Sequence, residues 1–318
     1  MSTAFPGHWR RALKLEDFAG SIDLISSRCL VAPGRPLRWT LIANPRAGGF
    51  TIGSRWKKHR RILADYAGKA RANPLREGSG VFYPTSGPGD ARIISSGLLA
   101  EAGKERAAGA RQNSGEGIFH LIITAGGDGT SNEVLSVLYQ APEALRRRFA
   151  VLRLPMGTGN DGADAPELDR ALEFLVRPVS IGLSPAVRLT TASGKGPYLA
   201  FNILSVGLDA FVTHMTNRMK GKLPGDSYKL WVDIAALFYD RIYRVGPLDV
   251  RALDGEGRET RRFKEKLLLL AVGASGRRSY GSQKKILPDD RNVCAIRQMP
   301  LLRKLFLKEL FNTGGHID

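Results

Sequence analysis

Three times in its first half the chain runs through a short, almost continuous apolar stretch and then breaks into small residues. Leu37 to Ala43 leads into Asn44-Pro45-Arg46-Ala47-Gly48-Gly49, and Phe119 to Thr124 into Ala125-Gly126-Gly127-Asp128-Gly129-Thr130. Ala150 to Leu154 leads into Pro155-Met156-Gly157-Thr158-Gly159-Asn160-Asp161. A strand that is apolar at nearly every position is buried on both faces, the condition of a parallel sheet covered by helices. Val81-Phe82-Tyr83 is a further strand candidate. Helical spacing fills the intervals: Trp56, Ile62, Leu63 and Tyr66; Asp90 to about Gly103; Val134, Leu135, Val137 and Leu138; Leu168, Leu172, Phe174 and Leu175. Lys104 to Gly117 is polar and rich in small residues, and a loop is expected there. Strands alternating with helices predict an α/β fold built on a parallel sheet. Ligands of such sheets sit outside the carboxyl ends of the strands, where all three loops fall.

The rhythm changes after about Pro178. Val187 to Thr191, Tyr198 to Leu204, Leu248 to Leu253, Phe263 to Val272 and Asn292 to Ile296 read as strands, with one helix at Tyr228 to Tyr239. The expected organisation is an N-terminal extension over 1–36 with a short helix around Leu13 to Ile25, an α/β domain over 37–180, and a mostly antiparallel, β-sandwich-like domain over 181–318. Asp254-Gly255-Glu256 is read as a hairpin turn.

Composition narrows the partners. A net charge of +18 in 318 residues favours polyanions: nucleotide phosphates, anionic lipid headgroups or nucleic acid. Arg55 to Arg61 and Arg258 to Lys266 are the densest basic runs, and neither carries a nucleic-acid-binding module, so no specific nucleic acid is expected. The longest apolar run, Leu267 to Val272, is far short of the roughly 20 residues that span a bilayer. No signal peptide is read at the N-terminus, and a cytoplasmic protein is expected. Cys29 and Cys294 lack partners at metal-ligand spacing and read as free thiols.

In the middle loop, glycines let the backbone turn sharply and approach a ligand without a Cβ in the way. Set between a strand and a helix, the loop aims amides and a helix N-terminus at an anion. Asp128 among those glycines is suited to hold a magnesium ion or its waters, or to orient an attacking hydroxyl. Thr130 also reads as an N-cap. Three such loops converging on one sheet edge are hard to explain as three coincidental turns.

The set Asn44-Pro45…Gly48, Gly126-Gly127-Asp128-Gly129-Thr130-x-Asn132-Glu133-Val134 and Pro155-x-Gly157-Thr158-Gly159-Asn160-Asp161 resembles the catalytic domain of diacylglycerol kinases, which bacterial lipid kinases and sphingosine kinases share. Phe201-Asn202-x-x-Ser205-x-Gly207-Leu208-Asp209-Ala210 and the glycine-rich stretch Leu267 to Asp290 extend the likeness. The resemblance implies ATP and Mg2+ as cofactors, with a lipid hydroxyl, of diacylglycerol or a sphingoid-like lipid, as acceptor. Asn44, Gly48, Gly126, Gly127, Gly129, Thr130, Gly157, Thr158 and Asn160 would line the nucleotide. Asp128 would serve the metal or the acceptor hydroxyl. Glu133 would lie near the nucleotide, or else serve as a favourable charge against its helix dipole. Asp209 would contact the lipid headgroup, or else cap the helix that follows it. Peripheral association with the anionic inner face of the membrane is expected, and a homodimer is compatible with the reading.

Departures from that pattern leave alternatives open. Family members continue past the Gly-Gly-His region into strands bearing an acidic Asp-Gly-Glu segment, whereas this sequence stops at Gly314-Gly315-His316-Ile317-Asp318. Tyr280-Gly281-Ser282 and Asp289-Asp290-Arg291 replace a glycine triplet and an Asp-Asp-Gly. A catalytically impaired nucleotide- or lipid-binding homologue and an enzyme resembling NAD kinases are the alternatives.

Overall fold

The apolar runs do become adjacent buried strands. The computed structural model describes residues 6–75, 80–111, 117–157, 159–219, 237–243, 246–274 and 292–313, and divides into two compact units, Met1–Ser184 and Pro185–Asp318. In the first unit, β1 (Leu37–Ala43), β2 (Gly80–Pro84), β3 (Phe119–Gly126) and β4 (Phe149–Pro155) form one parallel sheet in the order β2-β1-β3-β4. Alternation along the strands supplies two apolar faces. Trp39, Leu41, Leu121 and Ile123 point to one side, packed against α1 (Pro6–Ser26), α3 (Gly53–Ala72) and α7 (Leu168–Val176). Ile42 and Ile122 point to the other, against α4 (Asp90–Arg111) and α5 (Asp128–Gln140). Two single-turn helices, α2 (Gly48–Thr51) and α6 (Glu143–Arg146), complete this unit.

This topology locates the site. The chain leaves β1 through α3 on one face to reach β2, and leaves β3 through α5 on the other face to reach β4. The connections diverge between β1 and β3, and at such a switch point a crevice opens outside the strand ends.

Two expectations about segments change. The helix expected over Leu13 to Ile25 starts earlier, at Pro6, and its Phe18, Ile22 and Ile25 are wholly buried in the sheet-and-helix core. Each such side chain contributes about 1.5–3 kcal/mol by leaving water. Trp39 Nε1 ties the helix to β1 by donating to Asp23 Oδ1 at 2.9 Å. The loop expected over Lys104 to Gly117 is instead helical as far as Arg111, with 112–116 outside the described residues. Glu105 explains the extra turns: its carboxylate lies 2.5 Å from Arg38 of β1 and 3.2 Å from His120 of β3. Polar spacing concealed helical turns whose inward contact at Glu105 is charged.

Burial holds the His59 imidazole below the usual histidine range, with Lys58 and Arg55 acting the same way against Glu167. At His120 burial again dominates, and Arg148 and Arg38 add to it against Glu105. The unfolded chain would protonate these groups at about their ordinary pKa, near 6.5. Below that pH it binds more protons than the folded chain, so stability is full above about 6.5 and declines as pH falls towards the lowered folded values. The unfolding midpoint should therefore drop between about pH 7.5 and about 5.5, and His59→Gln should flatten part of that slope. Thermal melts across the range would check this; a slope unchanged in the variant would clear His59 of any part in it.

The second unit holds three separate antiparallel sheets among the described residues: β5 (Val187–Leu189) with β6 (Tyr198–Ala200), β8 (Leu248–Leu253) with β9 (Glu259–Glu265), and β7 (Ile203–Gly207) with β10 (Leu267–Gly273) and β11 (Val293–Arg297) in the order β11-β10-β7. Its helices among the described residues are α8 (Leu208–Met219), α9 (Tyr239–Ile242) and α10 (Leu301–Thr313). Two runs read as single strands are each two. Tyr198 to Leu204 breaks at Phe201-Asn202, and Phe263 to Val272 breaks at Lys266, so that each half joins a different sheet. Asp254 to Gly257 is a hairpin turn, as read, but the residue requiring glycine is Gly257, at φ 81°, and not Gly255. Asp254 accepts the amides of Glu256 and Arg258 at 2.9 Å, and the left-handed Gly257 closes a bulged turn of a kind common in hairpins. Most of the helix read at Tyr228 to Tyr239, the glycines and Asp-Asp pair of 276–290, and the terminal Gly314 to Asp318 lie outside the described residues.

Candidate functional site

All three glycine-bearing loops leave the carboxyl ends of adjacent strands, and hydrogen bonds stitch them together. After β1, Asn44 N donates to Ala125 O of β3 at 2.9 Å, and Gly49 N donates to Met156 O beyond β4 at 2.8 Å. Asn44 also folds its own loop: Oδ1 accepts Arg46 N at 2.9 Å and its carbonyl accepts Ala47 N at 3.0 Å. After β3, Gly127 is the N-cap of α5, and its carbonyl accepts Thr130 N at 3.1 Å. The first amides of a helix have no partner within it, so α5 presents donors and the positive end of its dipole at this rim.

The second and third loops touch backbone to backbone. A Cβ on Gly157 would lie 2.7 Å from Gly127 Cα and 3.3 Å from Gly126 O, so only glycine permits this approach. Asn160 holds the turn beyond it in the left-handed region, φ 60°, a conformation asparagine tolerates. Its Nδ2 donates to Pro155 O at 3.2 Å, which fixes the amide's orientation, and its buried Oδ1 has no hydrogen-bond partner among the described residues. Thr158 lies outside the described residues.

Asp128, exposed in the first turn of α5, reaches across to the third loop, where its Oδ1 accepts Gly162 N at 2.8 Å. Arg153 of β4 braces the same loop through Asp164, at 2.6–3.0 Å. Arg55 of α3 donates to Gly157 O at 3.1 Å, which brings a guanidinium to the rim. Gly48 is buried in α2, and Gly129 lies exposed on α5 with space around it. Thr130 is buried, its side chain packed beneath Gly126, where a Cβ would meet Oγ1 at 2.5 Å.

Glu133 takes a different position from a residue that simply flanks a ligand. Its carboxylate accepts Gly89 N at 2.8 Å and Arg92 N at 3.3 Å, which caps α4 from α5. The same rim has a fourth loop, after β2, that sequence reading passed over. Buried Thr85 stands there, its amide donating to Ala43 O at 2.8 Å. Its signal was position alone: every carboxyl end of a parallel sheet faces the same way. Arg55 carried no distinguishing signal within a run of basic residues. Asp209 lies in the second unit, in the first turn of α8, where Ser205 Oγ donates to it at 2.5 Å.

The residues at this rim fit a nucleotide triphosphate. Glycine backbones without Cβ obstruction, the α5 N-terminus and the Arg55 guanidinium all suit anionic oxygens. Among the described residues no cluster of three or more His, Cys, Asp or Glu could hold a metal ion. Magnesium bound chiefly by phosphate oxygens and water needs only one or two carboxylates, a requirement Asp128 meets.

Comparison with known proteins finds relatives of the first unit. Residues 38–189 match the diacylglycerol kinase catalytic domain family, a span that contains all three loops. A probable lipid kinase YegS-like protein of Yersinia enterocolitica is 35% identical over 112 residues, 34% of this chain and 35% of that protein. One of the same name from an Enterobacter species is 31% identical over 108 residues, with the same coverage. The chain therefore spans about a third of the length of the curated relatives it matches. The second-half segments that extend the resemblance lie outside the family match, which ends at Leu189.

Proposed function

From a chain whose residues 38–189 match the diacylglycerol kinase catalytic domain, we propose a lipid kinase that transfers the γ-phosphate of ATP to a lipid hydroxyl, such as that of diacylglycerol, at a membrane surface. The observation that carries this reading is the contact of the Gly126-Gly127 turn with Gly157, flanked by Asn44 and Asp128, at the switch point of a parallel sheet.

In the reaction, the acceptor oxygen forms a bond to the γ-phosphorus as the bond to the β,γ-bridging oxygen breaks, and ADP departs. The transition state is loose, so the protein's part is to position the reactants and stabilise charge. The α5 amides and Arg55 bind and orient the phosphates. Asp128, held by the Gly162 amide, would take the hydroxyl proton or ligate magnesium, whose contribution when bound is to neutralise phosphate charge. Glu133 acts from behind by fixing α4 against α5. Asp209 serves the lipid headgroup. No helix among the described residues is long and apolar enough to cross a membrane, and in this reading the enzyme meets its substrate peripherally, at the inner face.

Two measurements test the proposal. At a hundredfold excess over its Kd, Mg-ATP should stabilise the chain by about 2.7 kcal/mol, several degrees in Tm. Radiolabel from γ-labelled ATP should appear in diacylglycerol presented in mixed micelles. Stabilisation without label in any lipid would favour a nucleotide-binding homologue, and label in NAD an enzyme of the NAD kinase type. Absence of both stabilisation and transfer would end the assignment.

A further inference from the structure

The first helix reaches the site from a stretch that the sequence marks only as an extension. On α1, Lys14 is half-buried, and its Nζ donates to the carbonyl oxygen of Phe50 at 3.0 Å. Phe50 belongs to α2, the turn that carries Gly48 and Gly49 of the first loop. The last carbonyls of a helix find no donor within it, so a lysine there satisfies an orphan group. The same ammonium lies over the Trp56 ring, 5.9 Å from its centroid, where the ring face attracts a cation. Three buried rings join these elements: Phe18 of α1 meets Phe50 edge-on at 5.1 Å between centroids, and Phe50 lies 6.0 Å from Trp56.

The residues beside Phe50 and Trp56 bear on the third loop. Gly49 donates its amide to Met156 O at 2.8 Å, and a Cβ on it would lie 2.7 Å from Met156 Cε and 3.0 Å from that oxygen. Arg55 donates to Gly157 O at 3.1 Å. α1 therefore grips two residues whose sequence neighbours touch Met156 and Gly157 in succession. Were α2 to slide, Gly49 would leave Met156; were the start of α3 to turn, Arg55 would leave Gly157.

We propose that Lys14 is a positioning residue for the nucleotide: by holding Phe50 O and the face of Trp56, it sets the first loop and the Arg55 guanidinium against the third loop. This role rests on the triphosphate reading of the rim, and Lys14 acts through its neighbours rather than on the ligand. An apolar side chain of the same reach would fill the space as well. What the ammonium adds is direction, because a hydrogen bond is directional where apolar packing is not.

The test uses the full chain. Lys14→Met keeps the aliphatic stem and removes the donor. Its affinity for Mg-ATP, measured by calorimetric titration, should fall by about tenfold, since small displacements are costly where a ligand must be held in register. In the kinase assay the loss should appear in the KM for ATP, with kcat within about twofold of the parent, the pattern of lost uniform binding. Lys14→Arg should restore affinity, because a guanidinium can also donate to a carbonyl and stack on a ring. Lys57→Met removes the exposed lysine next to Trp56 and should leave affinity unchanged, which separates position from net charge. Without nucleotide, amide exchange in Lys14→Met should quicken from Gly49 to Ile52 and not in β1.

Affinity equal to the parent's in Lys14→Met, affinity that Lys14→Arg does not restore, or unchanged exchange from Gly49 to Ile52 would each overturn the inference. So would an equal loss in Lys57→Met, which would reduce the effect to net charge. A parent chain that fails to bind Mg-ATP would sink the nucleotide reading instead, and the exchange measurement would still decide whether Lys14 holds α2.

Discussion

Gly157→Ala should leave the chain folded and remove its stabilisation by Mg-ATP. The methyl group would have to occupy a position 2.7 Å from Gly127 Cα and 3.0 Å from Asn160 Oδ1. The first of these neighbours is backbone at the start of α5 and cannot rotate away, so the third loop must move off the second. A triphosphate gripped by both would then lose one side of its site. Affinity should fall by about tenfold or more, as a shift of ångström scale is costly where donors must meet fixed oxygens. Gly68→Ala is the control, since nothing lies within 4 Å of a Cβ there and the position is in the interior of α3. That variant should bind nucleotide normally and gain about 0.5–1 kcal/mol in stability. Calorimetric titration of both proteins decides the matter. Equal Mg-ATP affinity in the Gly157 variant and the parent would mean that the two loops do not share a ligand.

Asp128→Asn should separate chemistry from binding. An asparagine oxygen can still accept the Gly162 amide, bonded at 2.8 Å in the parent, so the loops keep their positions. What disappears is the negative charge, needed either to take the proton of the attacking hydroxyl or to ligate magnesium. Turnover should drop by about 10²–10⁴-fold, the range that general acid–base groups supply. Nucleotide-dependent stabilisation should change far less. Asp128→Ala should lose both, because it also leaves the Gly162 amide unpaired. Turnover in the asparagine variant within a few-fold of the parent would remove Asp128 from the reaction.

Much of the first unit was legible because its code is local. A strand buried on both faces must be apolar throughout, and a strand–helix connection that turns sharply takes glycine; both show in a single pass along β1, β3 and β4. The second unit was harder to read. Except for β10, its short strands are largely exposed and carry no continuous apolar run, and the two breaks, at Phe201-Asn202 and Lys266, carry no glycine or proline to mark them. The end of α4 was missed for a related reason: Glu105 faces Arg38 and His120, and an inward charge looks like a surface charge until its partners are known.

The residues alone determined the alternation of strand and helix, and with it the edge of the sheet on which the glycine loops had to emerge, because burial on two faces and freedom from a Cβ are properties written at single positions. Folding decided which groups meet there: that Gly157 closes on Gly127, that Arg55 out of a whole basic run reaches the third loop, that Glu133 caps a neighbouring helix, and that Lys14 of α1 ends on the carbonyl of Phe50. Those outcomes depend on contacts between residues tens of positions apart, and such a contact has an energy only after the chain has brought its two ends together.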